Sequence, residues 1–239
     1  MSTAQLPRTA ARHHPRRIAL FGGSFDPVHE GHLAVARAAD RRFNFDEIHF
    51  IPASRPPHKS RRHLAPFPHR FAMVALACAE HPHFVPSLAE AGEDFSGHQL
   101  FYSVDTVRHF KQAYHRGDHF YFLIGADAFL EIPTWKEYEA LLGLSDFVVA
   151  ARPGFRAEAL RLVISPELLG RPSPRHRDNP VHEGHVVAHL RRTTVYLLDT
   201  VSSEVSATEV RQRVHAGQSI HGLVSPRVEE YIGKQALYR

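Results

Sequence analysis

The chain has 239 residues, of which 43% are hydrophobic and 23% are charged. This composition is typical of globular proteins and excludes a disordered chain, a fibre and a coiled-coil rod. No uninterrupted apolar stretch approaches the roughly 20 residues of a transmembrane helix, so no membrane partner is expected. The single cysteine, Cys78, excludes an intramolecular disulfide and argues against a cysteine-based zinc site. The expected location is a reducing cytoplasm.

The positive charge is concentrated at the start of the chain. Of the 29 Lys and Arg residues, four fall within residues 1–17, where there is no acidic residue, so the other 222 residues carry 25 charges of each sign. A nucleic-acid binder usually carries a basic face on its fold, so this neutral body argues against a nucleic-acid partner. We predict a disordered basic tail over 1–16 and a single domain over 17–239.

Short apolar runs alternate along the chain with helical hydrophobic patterns. In chain order, the predicted elements are strand 17–21, helix 32–42, strand 47–51, helix 69–80, weak strand 84–85, helix 103–114, strand 120–124, helix 134–142, strands 147–150 and 195–198, helix 206–215 and a helix beginning at 225–226. Continuous apolar strands are typical of a sheet that is buried on both faces. The alternation therefore predicts an α/β fold with a parallel sheet and helices on both faces.

Two sequence patterns predict helix starts. Thr134 with Glu137, and Ser206 with Glu209, each have the spacing of a capping box, in which a hydroxyl residue is followed three positions later by Glu. The region 155–192 is rich in Arg, His and Pro, and we predict it to be an irregular insert.

The first strand-to-helix turn, 22–32, reads Gly-Gly-Ser-Phe-Asp-Pro-Val-His-Glu-Gly-His. Ligands of α/β sheets bind at the carboxyl ends of strands, and glycines there let backbone N–H groups approach an anion. The loop has neither the dinucleotide-binding spacing nor the Gly-Lys-Ser/Thr of a P-loop. It offers instead two imidazoles, His29 and His32, that can donate hydrogen bonds to a polyphosphate.

The six residues 27–32 recur letter for letter as 180–185, which carries His182 and His185. The second copy has neither a predicted strand nor a glycine pair before it. We therefore interpret it as a chance repeat, or at most a surface contact for a metal or an anion, and assign the function to the first copy.

A second phosphate-binding element is predicted at 206–211. The capping box places Ser206 at the start of a helix and Arg211 in its second turn. A hydroxyl, unpaired N–H groups and a guanidinium together suit a phosphate, although a plain helix cap with a surface arginine would have the same sequence.

Together these elements resemble the nucleotidyltransferases with a His-x-Gly-His motif, and among them the bacterial nicotinate-nucleotide adenylyltransferases. The resemblance covers nearly the whole body of the chain. Its motifs are 22–32, Pro52 with Pro-Pro-His-Lys (56–59), Phe-Tyr-Ser-Val-Asp-Thr (101–106), Ile-Gly-Ala-Asp-Ala-Phe (124–129), Pro-Thr-Trp (133–135), Ala-Arg-Pro-Gly-Phe (151–155), Val-Ser-Ala-Thr-Glu-Val-Arg (205–211) and Leu-Tyr-Arg (237–239).

The resemblance implies a Rossmann-like nucleotide-binding sheet and a reaction of ATP with nicotinate mononucleotide. The products would be deamido-NAD and pyrophosphate, with Mg²⁺ bound through the ATP phosphates. The acceptor phosphate would attack the α-phosphorus in line without a covalent enzyme intermediate, which needs positioning and charge stabilisation rather than a protein nucleophile.

The resemblance also assigns roles to individual residues. His29, His32 and Arg211 would be catalytic. The ATP-binding residues would be Gly23, Ser24, Phe25, His32, Gly125, Asp127, Ser206 and Arg211. The residues that bind the mononucleotide would be His58, Lys59, Ser103 and Trp135, with Trp135 stacked on the ring and Ser103 near its carboxylate.

Three alternatives stay open at this point. Nicotinamide mononucleotide differs from the acid in one group, so a preference for the amide is not excluded. A nucleotide-binding regulator without activity is disfavoured by the intact His29, His32 and Arg211, and a nucleic-acid binder by the neutral body. The sequence does not decide whether identical chains assemble.

Overall fold

The computed structural model describes residues 14–54, 64–92, 102–171, 185–199 and 205–239. Seven strands form one sheet in the order β3-β2-β1-β4-β5-β7-β6. All neighbouring pairs are parallel except β6 with β7, which is antiparallel. The strands are β1 (Arg17–Gly23), β2 (Glu47–Pro52), β3 (Phe84–Pro86), β4 (His119–Gly125), β5 (Asp146–Ala150), β6 (His185–His189) and β7 (Thr194–Leu198).

Eight α-helices connect these strands within the described ranges, and none of them has the length and apolarity needed to cross a membrane. They are α1 (Glu30–Phe43), α2 (Phe67–Cys78), α3 (Ser103–Ala113), α4 (Ala126–Leu130), α5 (Tyr138–Leu142), α6 (Ala157–Leu162), α7 (Ala207–His215) and α8 (Pro226–Lys234).

Helices cover both faces of the sheet because its central strands are apolar on both sides. Along β1, Ala19 and Phe21 face the core formed with α1, α2, α7 and α8. Ile18 and Leu20 face the core formed with α3, α4, α5 and α6. The α/β class with a mostly parallel sheet is therefore confirmed.

The α1 helix shows how the sequence pattern produces this packing. Leu33, Ala36 and Ala39 form the predicted apolar stripe, and all three are buried against the first face. The helix begins at Glu30, two residues earlier than predicted, because His29 serves as its N-cap.

The predicted helix over 134–142 is wrong in its first half. Thr134 does not cap a helix; it ends a 3₁₀ turn (Ile132–Thr134), and its hydroxyl donates to the Glu131 carbonyl at 2.7 Å. Glu137 has a left-handed φ of 49°, and α5 begins only after it. Trp135 therefore lies between the 3₁₀ turn and α5, in an extended conformation. At Ser206 the predicted cap is confirmed, since its Oγ accepts the Glu209 N–H at 3.1 Å.

The prediction of an irregular 155–192 missed regular structure at both ends of that region. Helix α6 occupies Ala157–Leu162, and β6 adds an antiparallel edge strand over His185–His189. The side chains of β6 do not alternate regularly between buried and exposed, since the first two are both exposed. The strand is defined by its pairing with β7, a tertiary contact that the local sequence does not indicate. The tail over 1–13 lies outside the described residues, and the division at 16/17 stays a prediction.

Candidate active site

The candidate site lies at the carboxyl ends of β1 and β4, in the middle of the sheet. The chain leaves β1 toward β2 on one side and later returns to β4 on the other. In open α/β sheets, such a reversal of strand order creates a crevice at the carboxyl edge. We call residues 24–29, which join β1 to α1, the β1 loop.

The β1 loop folds back over its own strand. Phe25 is buried with a left-handed φ of 44°, a strained conformation for a residue with a side chain. Its ring lies edge-to-face with those of Phe21, at 5.6 Å between centroids, and His32, at 4.9 Å. A Cβ on Gly23 would lie 3.1 Å from the Phe25 ring, so this fold-back leaves little room for a side chain at 23.

The two histidines of the loop lie against each other. Their ring centroids are 3.7 Å apart, and the His29 backbone N–H donates to His32 Nδ1 at 3.3 Å. This bond places the neutral His32 proton on Nε2. His29 is only 8% exposed, and its Nδ1 has no hydrogen-bond partner among the described residues. A Cβ on Gly31 would lie 2.9 Å from that nitrogen, which explains the glycine between the histidines.

Asp26 ties distant parts of the chain to the loop. It is buried, and its Oδ1 accepts the Ala65 N–H at 3.1 Å and the Tyr238 hydroxyl at 2.8 Å. Arg211 Nη1 donates to the Asp26 carbonyl at 2.6 Å. The Asp26 carboxylate therefore orients the loop, and Arg211 reaches the site from α7.

Sequence reasoning missed Arg70, a buried guanidinium beneath the loop. It is 1% exposed and donates to three backbone carbonyls: Ser24 at 2.7 Å, Ala65 at 2.9 Å and Ser54 at 3.4 Å. Burial lowers its pKa, and the negative charge of Asp26 opposes that effect. The helical spacing could have indicated its burial, because Arg70 lies one turn before the buried Met73 and Val74, on the same face of α2.

A cavity of about 350 Å³ opens beside the loop, and we call it the ring pocket. Gly23, the last residue of β1, and Ser24, the first residue of the β1 loop, both form part of its wall, so pocket and loop are continuous. The pocket brings together five of the predicted site residues: Gly23, Ser24, Ser103, Gly125 and Trp135. Glu90 and Thr106 also line it, and neither was predicted.

Trp135 belongs to both the pocket and the core. Its indole is half-buried against the second hydrophobic face and lies edge-to-face with Phe122, at 6.3 Å between centroids. It also lines the ring pocket. One side of the indole can thus meet a ligand while the other packs in the protein.

The remaining predicted residues lie outside the ring pocket. Phe25, His29, His32 and Arg211 form the β1 loop cluster, and Ser206 caps α7 beside it. Asp127 is exposed in the first turn of α4, two residues after Gly125. His58, Lys59 and His182 lie outside the described residues. His185 is exposed on β6, four strands from β1.

We predict that His29 makes stability depend on pH. Burial lowers its pKa from 6.5 to about 4. Between these values the unfolded chain binds more protons than the folded chain, so stability falls as the pH falls through this window. The loss at about pH 5, relative to about pH 7, should be about 2 kcal/mol.

Urea unfolding of wild type and His29→Gln at both pH values measures this effect. The variant should lose less stability on acidification by about that amount, since glutamine does not titrate. His185→Gln, at an exposed histidine, is the control and should behave as wild type. An unchanged pH dependence in His29→Gln would contradict the prediction.

The comparisons with known proteins agree with this geometry. The cytidylyltransferase-like family profile matches residues 20–213. A Geobacter sulfurreducens protein named "Probable nicotinate-nucleotide adenylyltransferase" is 38% identical, covering 93% of this chain and 98% of its own. A Thermoanaerobacter sp. (strain X514) protein of the same name is 36% identical, covering 93% and 94%.

Solved structures agree on the fold. The Plasmodium falciparum nicotinic acid mononucleotide adenylyltransferase complexed with NaAD has a TM-score of 0.67 at 20% identity, covering 93% of this chain and 97% of that one. The same protein complexed with APC has a TM-score of 0.65 at equal coverage and identity. On the profile match and the identity to its relatives, the chain belongs to the cytidylyltransferase-like family and, within it, to the nicotinate-nucleotide adenylyltransferases.

Proposed function

We propose that this protein transfers the adenylyl group of ATP to nicotinate mononucleotide, giving deamido-NAD and pyrophosphate. The observation that most supports the proposal is that the ring pocket is continuous with the β1 loop. A pyridine ring against Trp135 would direct its ribose phosphate toward the histidine pair, where the ATP phosphates would lie. The names of the relatives and the NaAD bound to the Plasmodium structure support the same substrates.

The proposed reaction is one direct displacement. An oxygen of the mononucleotide phosphate attacks the α-phosphorus of ATP, and the bond to the bridging oxygen of the β-phosphate breaks. The electron pair leaves with pyrophosphate, so no group on the protein becomes covalently attached. The rate of such a reaction depends on how the two substrates are positioned and on hydrogen-bond donors that face the developing negative charge.

The β1 loop cluster has the donors for this task. His32, with its proton on Nε2, can donate to a phosphate oxygen. His29 is neutral near pH 7 in the free protein, because burial lowers its pKa to about 4, and an adjacent phosphate would favour its protonated form. Arg211 has five N–H donors and directs Nη1 to the Asp26 carbonyl and Nη2 to Thr208. Its other donors, with the N-terminus of α7 at Ser206, suit the ATP phosphates.

The other residues would position the two nucleotides. Trp135 would stack on the pyridine ring, and Ser103, in the same pocket, would reach its carboxylate. Backbone groups at Gly23, Ser24 and Phe25 would contact the nucleotides, and Gly125 and Asp127 would hold the adenosine. His58 and Lys59 stay predicted contacts to the acceptor phosphate.

Mg²⁺ would enter bound to the ATP phosphates and would neutralise part of their charge. In the ranges that the structure describes, no three His, Cys, Asp or Glu side chains are grouped to hold a metal ion. Mg²⁺ usually keeps several waters and binds substrate phosphates rather than an all-protein cage, so the donors present fit this mode of binding. The protein residues would then bind the phosphate oxygens that the cation leaves exposed.

The direct test is pyrophosphate release from ATP with each mononucleotide. Nicotinate mononucleotide should react much faster than nicotinamide mononucleotide. With ATP in which sulfur replaces one non-bridging oxygen and makes the α-phosphorus chiral, the product should show inversion at that phosphorus, because a single displacement inverts it once. Retention would indicate a covalent intermediate, and absence of release with both mononucleotides would overturn the proposed function.

Substitution of the last histidine in each copy of the hexapeptide tests which copy contributes to catalysis. His32→Ala should lower kcat/KM by roughly 10²-fold or more, since one preorganised donor to a reacting group is typically worth about 3 kcal/mol. His185→Ala, at the same position of the repeated hexapeptide, is the matched control and should change kcat/KM little. Equal losses in both variants would contradict the assignment of function to the first copy.

The ring pocket is tested through its single tryptophan. Trp135→Ala should raise KM for the mononucleotide and leave KM for ATP nearly unchanged, because the lost stack and buried area belong to the pyridine ring; the stack alone is worth on the order of 1 kcal/mol. In wild type, nicotinate mononucleotide should quench the indole fluorescence saturably, and ATP alone much less. Unchanged emission at saturating mononucleotide would show that Trp135 is only a core residue.

A further inference from the structure

Glu90 is a buried carboxyl group in the wall of the ring pocket. It follows β3, is 9% exposed, and lines the cavity together with Ser103, Thr106 and Trp135. Its Oε1 lies 2.6 Å from the Thr106 hydroxyl of α3. The mechanism proposed above does not use this carboxyl group, although it lies in the pocket that would receive the pyridine ring.

The contact with Thr106 is compatible with both protonation states of Glu90. The Thr106 hydroxyl lies 2.6 Å from Glu90 Oε1 and 3.3 Å from the Tyr102 carbonyl, but it has only one proton. If Glu90 is ionised, Thr106 donates to it. If Glu90 is protonated, it can donate to the Thr106 oxygen while Thr106 donates to Tyr102. The local geometry therefore holds the carboxyl group in place without fixing its charge.

The charged groups around the pocket do not neutralise Glu90. Lys136 and Glu131 also line the cavity, but Lys136 Nζ pairs with Asp105 of α3 at 3.0 Å. The β1, β2 and β4 residues in the wall are uncharged. Among the described residues, Glu90 forms no ion pair, and burial raises its pKa to about 7 against the opposing effect of the Thr106 hydroxyl.

We propose that the protonation state of Glu90 sets the preference of the ring pocket between a pyridine carboxylate and a pyridine carboxamide. The inference rests on the proposed function, because it concerns the same pocket and the same acceptor. A protonated Glu90 can donate to a substrate carboxylate. An ionised Glu90 repels that carboxylate but can accept a hydrogen bond from an amide N–H. The acid should therefore be favoured at low pH, and this advantage should shrink as pH rises.

The ratio of kcat/KM for the two mononucleotides isolates this effect. Both substrates carry the same phosphate, which itself titrates near pH 6, and both react with the same ATP and histidines. These contributions cancel in the ratio, whereas the carboxylate and carboxamide differ only in the ring pocket. In wild type, the acid-to-amide ratio should fall about tenfold between about pH 6 and about pH 8.

The test compares wild type with Glu90→Gln across this range, by pyrophosphate release and by quenching of Trp135 fluorescence. Glutamine fills the same space without titrating, so the ratio in Glu90→Gln should be independent of pH. Glu131→Gln removes the other carboxylate of the pocket and should keep the wild-type pH dependence. A flat ratio in wild type, or an unchanged slope in Glu90→Gln, would overturn the inference.

A second variant keeps the test decisive if Glu90→Gln does not fold. Thr106→Val removes the hydroxyl that stabilises the ionised carboxyl, so the midpoint of the ratio should move to higher pH; an unchanged midpoint would count against the inference. Absence of turnover with both mononucleotides at every pH would overturn the proposed function itself. Turnover with a pH-independent ratio would overturn only the role of Glu90.

Discussion

The arrangement of the site depends on two buried charged residues that hold the β1 loop from beneath. Asp26 binds the Ala65 N–H and the Tyr238 hydroxyl, while Arg70 binds the carbonyls of Ser24, Ala65 and Ser54. Both meet at Ala65, where Asp26 takes the N–H and Arg70 the carbonyl. Removing one hydrogen-bonding partner in such a buried network typically costs about 1–3 kcal/mol, and more for a charged group, because the group left behind stays buried without its partner. The network therefore keeps the strained loop in one conformation.

The same interactions explain why distant parts of the chain are needed at one site. Arg211 and Tyr238 both contact Asp26, although they follow it by 185 and 212 positions. Tyr238 has a left-handed φ of 64°, and its hydroxyl donates to Asp26 Oδ1 at 2.8 Å. Glu30 of α1 donates its N–H to the Leu223 carbonyl at 2.8 Å, a third link between the site and the C-terminal region. The histidine pair is thus positioned by tertiary contacts rather than by the loop alone.

The sequence indicated those parts of the fold that local physical chemistry determines. The apolar β1 and the stripe of α1 are buried as predicted, and the Ser206 cap forms because its hydroxyl is close to the Glu209 N–H. Thr134 has the same spacing to a glutamate but bonds back to Glu131, since a 3₁₀ turn already occupies that segment. The β6 strand was missed because its pairing with β7 is a tertiary contact that the local sequence does not indicate. Glu90 was missed because nothing local distinguishes a buried glutamate from a solvated one.

The repeated hexapeptide shows that six residues do not define the site. At 27–32 the hexapeptide follows Gly23, whose missing Cβ lets Phe25 fold back, and Asp26, which anchors the loop. The histidines then cap an α-helix with their rings 3.7 Å apart. The second copy ends at His185, which begins an extended edge strand, so its last residue has no helix N-terminus beside it. The last histidine of the hexapeptide thus lies in a helix in the first copy and on a strand in the second. Its conformation is set by the surrounding residues rather than by the six letters of the motif.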